Sequence, residues 1–375
     1  MLETPNARTK VLFILPNFAG GGAERVALTL LEHLDRRAFA PQLAVFDATG
    51  PLRDLPTPDV SLYDLGGRRL RTALPALVRL IWRERPAVVF ATQGYVNLAL
   101  LAVRPLLPRS LKIALRESNT PSQQLPEGRY PRLMAWAYRT LYPRADLLFC
   151  QHRQTERELR ERFAVAAAKI ATLPNPVPVA RLREAAATPQ RFPGPGLRFV
   201  AAGRLHRQKG FDQLIGLFPQ LPPSSHVAIY GEGSERARLA ALLDELGLGE
   251  RVILAPFTKT LPAALAGADA CLIPSRWEGL PNVALEALAC GTPVIATPDA
   301  GGIAELAETA PPGAVTVAAL SEAGACDFLD AMRCCTARQL TTPAASLLPE
   351  RYEVDKVSGQ FNTCLRRLTE AAACP

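Results

Sequence analysis

Two stretches of the chain hold most of the residues whose types and spacing could do chemistry. The first is Gly203-Arg204-Leu205-His206-Arg207-Gln208-Lys209-Gly210-Phe211. Arg204 offers a planar fork suited to phosphate oxygens, and Lys209 a compact second charge. Gly203 and Gly210 let a backbone come close to a ligand. A solvated basic loop would have the same composition. The second is Ser275-Arg276-Trp277-Glu278-Gly279-Leu280-Pro281-Asn282-Val283-Ala284-Leu285-Glu286-Ala287. Pro281 suits the first turn of a helix, which puts Glu278 in the loop ahead and Glu286 inside the helix. Helical rise sets the two carboxylates roughly 10 Å apart, a spacing for two parts of one extended ligand. The amides of Leu280, Asn282 and Val283, reached past Gly279, lie at the helix N-terminus, where an anion is favoured. Either acid alone could be ordinary surface charge.

A weaker signal lies near the start, at Gly20-Gly21-Gly22-Ala23-Glu24-Arg25. Amides at such a strand–turn–helix junction point outward with no intrahelical partner. The dinucleotide pattern would need a third glycine at position 25, which is Arg, and no Gly-Lys-Ser/Thr follows. A structural tight turn accounts for the glycines equally well.

These residues need elements to position them. Val11–Leu15 is an all-apolar run, as a parallel strand buried on both faces should be. Pro16 stops it, and Val26, Leu30 and Leu34 then recur with helical period. Further strand-like runs are Gln42–Phe46, Ala87–Ala91, Lys112–Leu115, Leu147–Cys150 and Lys169–Leu173, with helix-like stretches at Leu70–Arg85 and Tyr130–Tyr142. After a Pro-rich stretch (Pro174, Pro176, Pro178, Pro189, Pro193, Pro195) the alternation restarts. Leu197–Ala202, Ser225–Tyr230, Arg251–Leu254, Ala270–Ile273 and Pro293–Ala296 read as strands, and Phe211–Phe218, Ser234–Leu246 and Pro281–Ala289 as helices. The expected fold is α/β, with two Rossmann-like parallel-sheet domains facing a cleft. The expected division is an N-terminal domain over 1–180, a linker over 181–196, a C-terminal domain over 197–355, and a last helix over 356–375 returning to the N-terminal domain. Residues 309–350 have weak periodicity.

Taken together, these segments resemble a GT-B-fold glycosyltransferase of family 4, the retaining, metal-independent group. The resemblance is carried by Gly20–Arg25, Gly203–Phe211, the Glu-x7-Glu run 278–286 and Cys290–Thr297, with Asn175 and Gly301-Gly302…Glu305 as further landmarks. It implies that Arg204 and Lys209 hold a nucleotide diphosphate, that Glu278 contacts the transferred sugar, and that Glu286 binds the ribose hydroxyls. It also implies that Gly21 and Gly22 close over the phosphates, with Phe257 on the base side. The expected partners are a nucleotide-sugar donor, UDP-linked as first guess, and a glycan or lipid-linked acceptor of surface polysaccharide synthesis. No cofactor or metal is expected, and the chain has no Asp-x-Asp. Many relatives carry a His on the acceptor side; here Arg116-Glu117-Ser118-Asn119 follows the strand, and Arg116 and Glu117 are the candidate acceptor-side residues.

Composition narrows the remaining classes. Among 375 residues, 48% hydrophobic and 21% charged, there is material for two ordinary cores. Residues 1–190 carry 27 Lys+Arg against 16 Asp+Glu, while the whole chain is only +8. That favours an anionic partner or a plain basic surface. One candidate is the helix-like run Leu70–Arg85, where Arg68, Arg69, Arg71, Arg79, Arg83 and Arg85 flank Leu74, Leu77, Leu80, Ile81 and Trp82. It could lie on anionic lipid or simply cover the sheet. Eight cysteines without Cys-x-x-Cys read as reduced thiols, mostly buried. Neither a leader nor an apolar membrane span is visible, so the expected location is cytoplasmic, with a peripheral place on the inner membrane face as the alternative that the basic run leaves open. A nicotinamide oxidoreductase lacks its fingerprint here, and a nucleic-acid reader lacks its motifs, so no nucleic acid is expected. A non-catalytic scaffold of the same fold is the remaining alternative.

Overall fold

A computed structural model describes residues 8–54, 57–67, 69–128, 130–190, 196–320, 327–338 and 344–370. Arg68, Pro193, Pro195, Cys326 and Cys374 lie outside the described residues. The chain divides into two units, one of residues 1–176 with 354–375 and the other of 177–353. The helix Val179–Ala185, with Leu182 packed on the core of the second unit, occupies the start of the stretch expected as linker.

In the first unit, seven parallel strands form one sheet: β1 (Thr9–Asn17), β2 (Phe39–Asp47), β3 (Ser61–Asp64), β4 (Val88–Ala91), β5 (Lys112–Arg116), β6 (Leu147–Cys150) and β7 (Ile170–Thr172). Their order is β3-β2-β1-β4-β5-β6-β7. Side chains alternate between faces, and both faces are covered. Leu12, Ile14, Val89 and Ile113 enter one core, while Val11, Phe13, Val88 and Ala114 enter the other. The helix Val354–Glu370 closes the second face, where Phe361 packs on Phe13, Phe90 and Phe149 with ring centroids 6.1, 5.0 and 5.3 Å away. Asn362 binds the Asp35 amide at 3.1 Å.

The second unit holds six parallel strands: β8 (Arg198–Ala202), β9 (His226–Tyr230), β10 (Val252–Ala255), β11 (Ala270–Ile273), β12 (Val294–Ala296) and β13 (Val315–Val317), ordered β10-β9-β8-β11-β12-β13. In each sheet the chain reverses its direction of winding once, between β1 and β4 and between β8 and β11. Loops leaving the carboxyl ends of those strands part from each other, which leaves a crevice for ligands.

β3 and β13 are the two strands the residue pattern misses. Both are short edge strands with exposed residues, so neither is forced to be apolar. The stripe Leu77, Leu80 and Ile81 of the helix Leu70–Glu84 is buried in the first core. Of the two readings of that helix, covering the sheet is the one realised. All six described cysteines are free thiols, and no described helix is long and apolar enough to cross a membrane.

Candidate active site

Of the candidate residues of the second unit, Lys209 and Glu278 meet where the loops after β8 and β11 come together. Leaving β8, Gly203 donates its amide to Tyr230 O at 3.0 Å, and Leu205 is fully buried. The turn Arg207–Lys209 follows, and Gly210 ends it in the left-handed region at φ 66°. A Cβ there would run into the Pro274 carbonyl at the end of β11. Glycine is therefore required at the point where the two loops touch.

The loops are also bonded together. Arg276 donates its amide to Gln208 O at 2.8 Å, and Gln208 Nε2 donates to Trp277 O at 2.9 Å. The Arg276 guanidinium reaches Arg207 O at 2.9 Å and forks onto both Asp212 oxygens at 2.8 and 3.0 Å. Burial works to raise the Asp212 carboxyl, but the Arg276 fork, with the Gln213 amide and Arg238, outweighs it and holds the group below the usual carboxylate range.

Inside this frame, Lys209 Nζ donates to Glu278 Oε1. Ser275 Oγ donates to the same oxygen at 3.1 Å. The loop after β12 steadies Glu278 from behind. Thr297 Oγ1 donates to Ser275 O, and Gly302 donates its amide to Gly279 O at 2.6 Å. Gly301, at φ 62°, lies so close to Gly279 O that a Cβ would collide with it. Arg204 is exposed and pairs with no acid among the described residues.

Pro281 sits one position earlier than the residue pattern places it. It is the extended residue capping the helix Asn282–Ala289, not part of its first turn. The side chains of Leu280 and Val283 belong to the core, so anything they offer a ligand comes from their backbone. Glu286 is half-buried one turn inside the helix. Its charge, after burial, helps push the Cys290 thiol up to about 12. Phe257 stands half-exposed two residues beyond β10.

The first unit repeats the theme at its own crevice. Gly21 precedes the helix Gly22–Glu32, whose Glu24 carboxylate folds back over it. Gln93, just beyond β4, donates to Glu24 Oε1 at 2.6 Å. Glu24 and Gln93 were not singled out from sequence. The one signal for Glu24 was its place three residues into the helix after the cap, where an acid commonly folds back.

At the end of β5, Arg116 and Glu117 are both buried. Arg116 Nη2 donates to Asn175 Oδ1, and burial pulls its guanidinium down to about 10. Glu117 accepts from the hydroxyls of Tyr142 and Tyr138, the latter at 3.3 Å. Burial pushes its carboxyl up to about 7. Both tyrosines were missed, since they arrive from Pro131–Leu141 and the turn after it.

Comparison with known proteins bears on what these crevices are. The profile of Glycosyltransferase Family 4 matches residues 20–181, and that of Glycosyl transferases group 1 matches residues 183–337. The chain belongs to the family 4 glycosyltransferases. It is 28% identical over 200 residues to the N-acetylgalactosamine-N,N'-diacetylbacillosaminyl-diphospho-undecaprenol 4-alpha-N-acetylgalactosaminyltransferase of Campylobacter jejuni, covering 52% of this chain and 53% of that one. Against the 2-deoxystreptamine N-acetyl-D-glucosaminyltransferase of Streptomyces fradiae it is 27% identical, covering 93% and 88%. Of the first two curated relatives it matches, the Campylobacter enzyme among them, the chain spans little more than half the length. Anabaena HepE, solved in complex with UDP-glucose, has the same fold, with a TM-score of 0.72 at 18% identity over 96% of this chain and 100% of that one. The GT-B architecture of this family 4 glycosyltransferase is therefore two parallel-sheet α/β units, each with its winding reversal at the residues described.

Proposed function

We propose that this chain transfers a sugar from a nucleoside-diphosphate sugar to a glycan or lipid-linked acceptor, with retention of configuration and without a metal. The observation that carries this reading is the Lys209–Glu278 pair at the winding reversal of the second sheet, with Arg204 exposed on the same loop. A UDP-linked hexose or N-acetylhexosamine is the first donor to test, because the Anabaena protein of the same fold is solved with UDP-glucose. The named acceptor of the Campylobacter relative is a diphospho-undecaprenol glycan, which supports a lipid-linked acceptor and a peripheral place on the inner membrane face.

The roles follow from charge. Cleaving the bond between anomeric carbon and diphosphate builds positive charge on the sugar and negative charge on the leaving group. Arg204, Lys209 and the amides around Asn282 stabilise that leaving group without reorganising at the moment of reaction. Glu278 holds Lys209 in place, which lowers the cost of ordering its ammonium for the leaving group. Glu278 contacts the transferred sugar, and Glu286 takes the ribose hydroxyls. Phe257 packs on the base, and the Gly21 and Gly22 turn offers amides to the phosphates. The departing phosphate accepts the acceptor's proton during attack on the same face, so no enzymatic nucleophile is required. Arg116 and Glu117, both buried, shape the acceptor side, Glu117 by accepting the Ser118 amide at 3.2 Å and Arg116 by holding Asn175.

A thermal-shift panel of UDP-, GDP- and dTDP-sugars tests the donor class, since a ligand of the native state raises the melting temperature with its concentration over Kd. Transfer from the stabilising donor, with the product anomer read by NMR, tests retention. No shift with any nucleotide would refute the reading; a shift without turnover would leave a binding scaffold instead.

A further inference from the structure

The helix Pro131–Leu141 has two unlike sides. Its inner side is settled, with Tyr138 buried and Met134, Ala137 and Leu141 packed on the first core. On its outer side Leu133 is 58% and Trp136 62% exposed, and Tyr130 just ahead is 57% exposed. Leu133 and Trp136 stand one turn apart on one strip. Arg132 and Arg139, both exposed, occupy the strip beside them. From Tyr130 to Ala145 there is no acid at all.

An apolar strip with aromatic rings and arginines alone for charge is complementary to the boundary of an anionic bilayer. Rings and leucine enter the headgroup region, and guanidinium groups stay with lipid phosphates. The position fits an acceptor held in lipid. Tyr138 reaches Glu117 just past the carboxyl end of β5, so the helix residues ahead of it run on beyond that edge of the sheet. The carboxyl end of β1, with Gly21 and Gly22, lies along the same edge. The arginine-rich helix Leu70–Glu84 fits less well. Its apolar stripe is buried, and its exposed Trp82 already donates to Leu106 O at 2.9 Å, near the opposite strand ends.

We infer that the outer face of Pro131–Leu141 is the surface by which the chain rests on anionic lipid. The inference depends on the lipid-linked acceptor proposed above. Sedimentation with phosphatidylcholine vesicles, with and without phosphatidylglycerol, tests it. The wild type should bind only the anionic vesicles, and Trp136 emission should shift blue. Leu133→Ser with Trp136→Ser should lower the bound fraction roughly tenfold, as should Arg132→Glu with Arg139→Glu. Trp82→Ser should bind like wild type, and all variants should keep wild-type melting temperatures and transfer to a water-soluble acceptor. Undiminished binding in both double variants would overturn the inference, and so would a wild type indifferent to anionic vesicles. Concentration-dependent dimers that Trp136→Ser abolishes would assign the face to a second copy and also overturn it. Failure of the transfer reading would appear separately, as no turnover of any nucleotide sugar without vesicles.

Discussion

Lys209 and Glu278, 69 residues apart in sequence, meet directly: the lysine ammonium donates to the carboxylate at the one place where the second sheet reverses its winding. The contact is what makes two separate motifs a single site.

Lys209→Ala should lower transfer roughly a hundred- to thousandfold, because a preorganised cation on the leaving group is lost. It also strips Glu278 of its cation. Steady-state kinetics with the identified donor checks this, and turnover within a few-fold of wild type would reject the role.

Arg204→Ala separates chemistry from folding. The side chain is exposed and has no acidic partner among the described residues, so the melting temperature should stay put while transfer falls. A variant as active as wild type would remove Arg204 from the diphosphate.

Asp212 and Arg276 should couple. Removing either breaks the fork that holds the Ser275–Glu278 loop against Arg207–Lys209. A double-mutant cycle in urea should give on the order of 1–2 kcal/mol of coupling. kcat should fall with little change in nucleotide affinity, as misplacement of a reacting group costs rate. Additive single effects would mean the fork is decorative.

Gly301→Ala should destabilise the second unit by about 1–3 kcal/mol, because the left-handed backbone and the Gly279 carbonyl both oppose a Cβ. Its melting temperature should drop together with transfer. An unchanged melting temperature would show that the loop yields freely.

Glu117 should make stability depend on pH. Its folded pKa, about 7, lies above the ordinary value of 4.5, because burial disfavours the charged carboxylate. The native state therefore holds the proton more tightly than the unfolded chain. That stabilisation is complete below about 4.5 and is lost as pH rises through 7, a swing on the order of 3 kcal/mol. Urea titrations between pH 4.5 and 8 should show stability falling in wild type and a flatter profile in Glu117→Gln. Parallel profiles would place the titrating group elsewhere.

The motifs of the candidate site were legible because each is local. A glycine, a charge and a helix start within ten residues announce a strand-to-helix loop wherever that loop ends up, as at Gly203–Phe211. What supports the motifs was not legible. Gln93 under Glu24, Tyr138 and Tyr142 on Glu117, and Asp212 under Arg276 are ordinary polar residues in ordinary helices or loops. Nothing in their neighbours' types marks them, because their partners come from other strands' loops.

The amino-acid order alone determined the alternation of strands and helices. Strands buried on both faces must be apolar throughout, and glycine and proline must stand where the backbone turns. It also determined which charges were available at each loop. Only tertiary structure decided which loops became neighbours. Strand order places β8 beside β11, not beside β10, and so brings Lys209 to Glu278. Burial, equally a property of the folded chain, turned the apolar stripe of Leu70–Glu84 inward and left Leu133 and Trp136 outside. The physical reason is one and the same: periodicity records that a residue has an apolar side, but only packing determines whether that side faces protein or solvent.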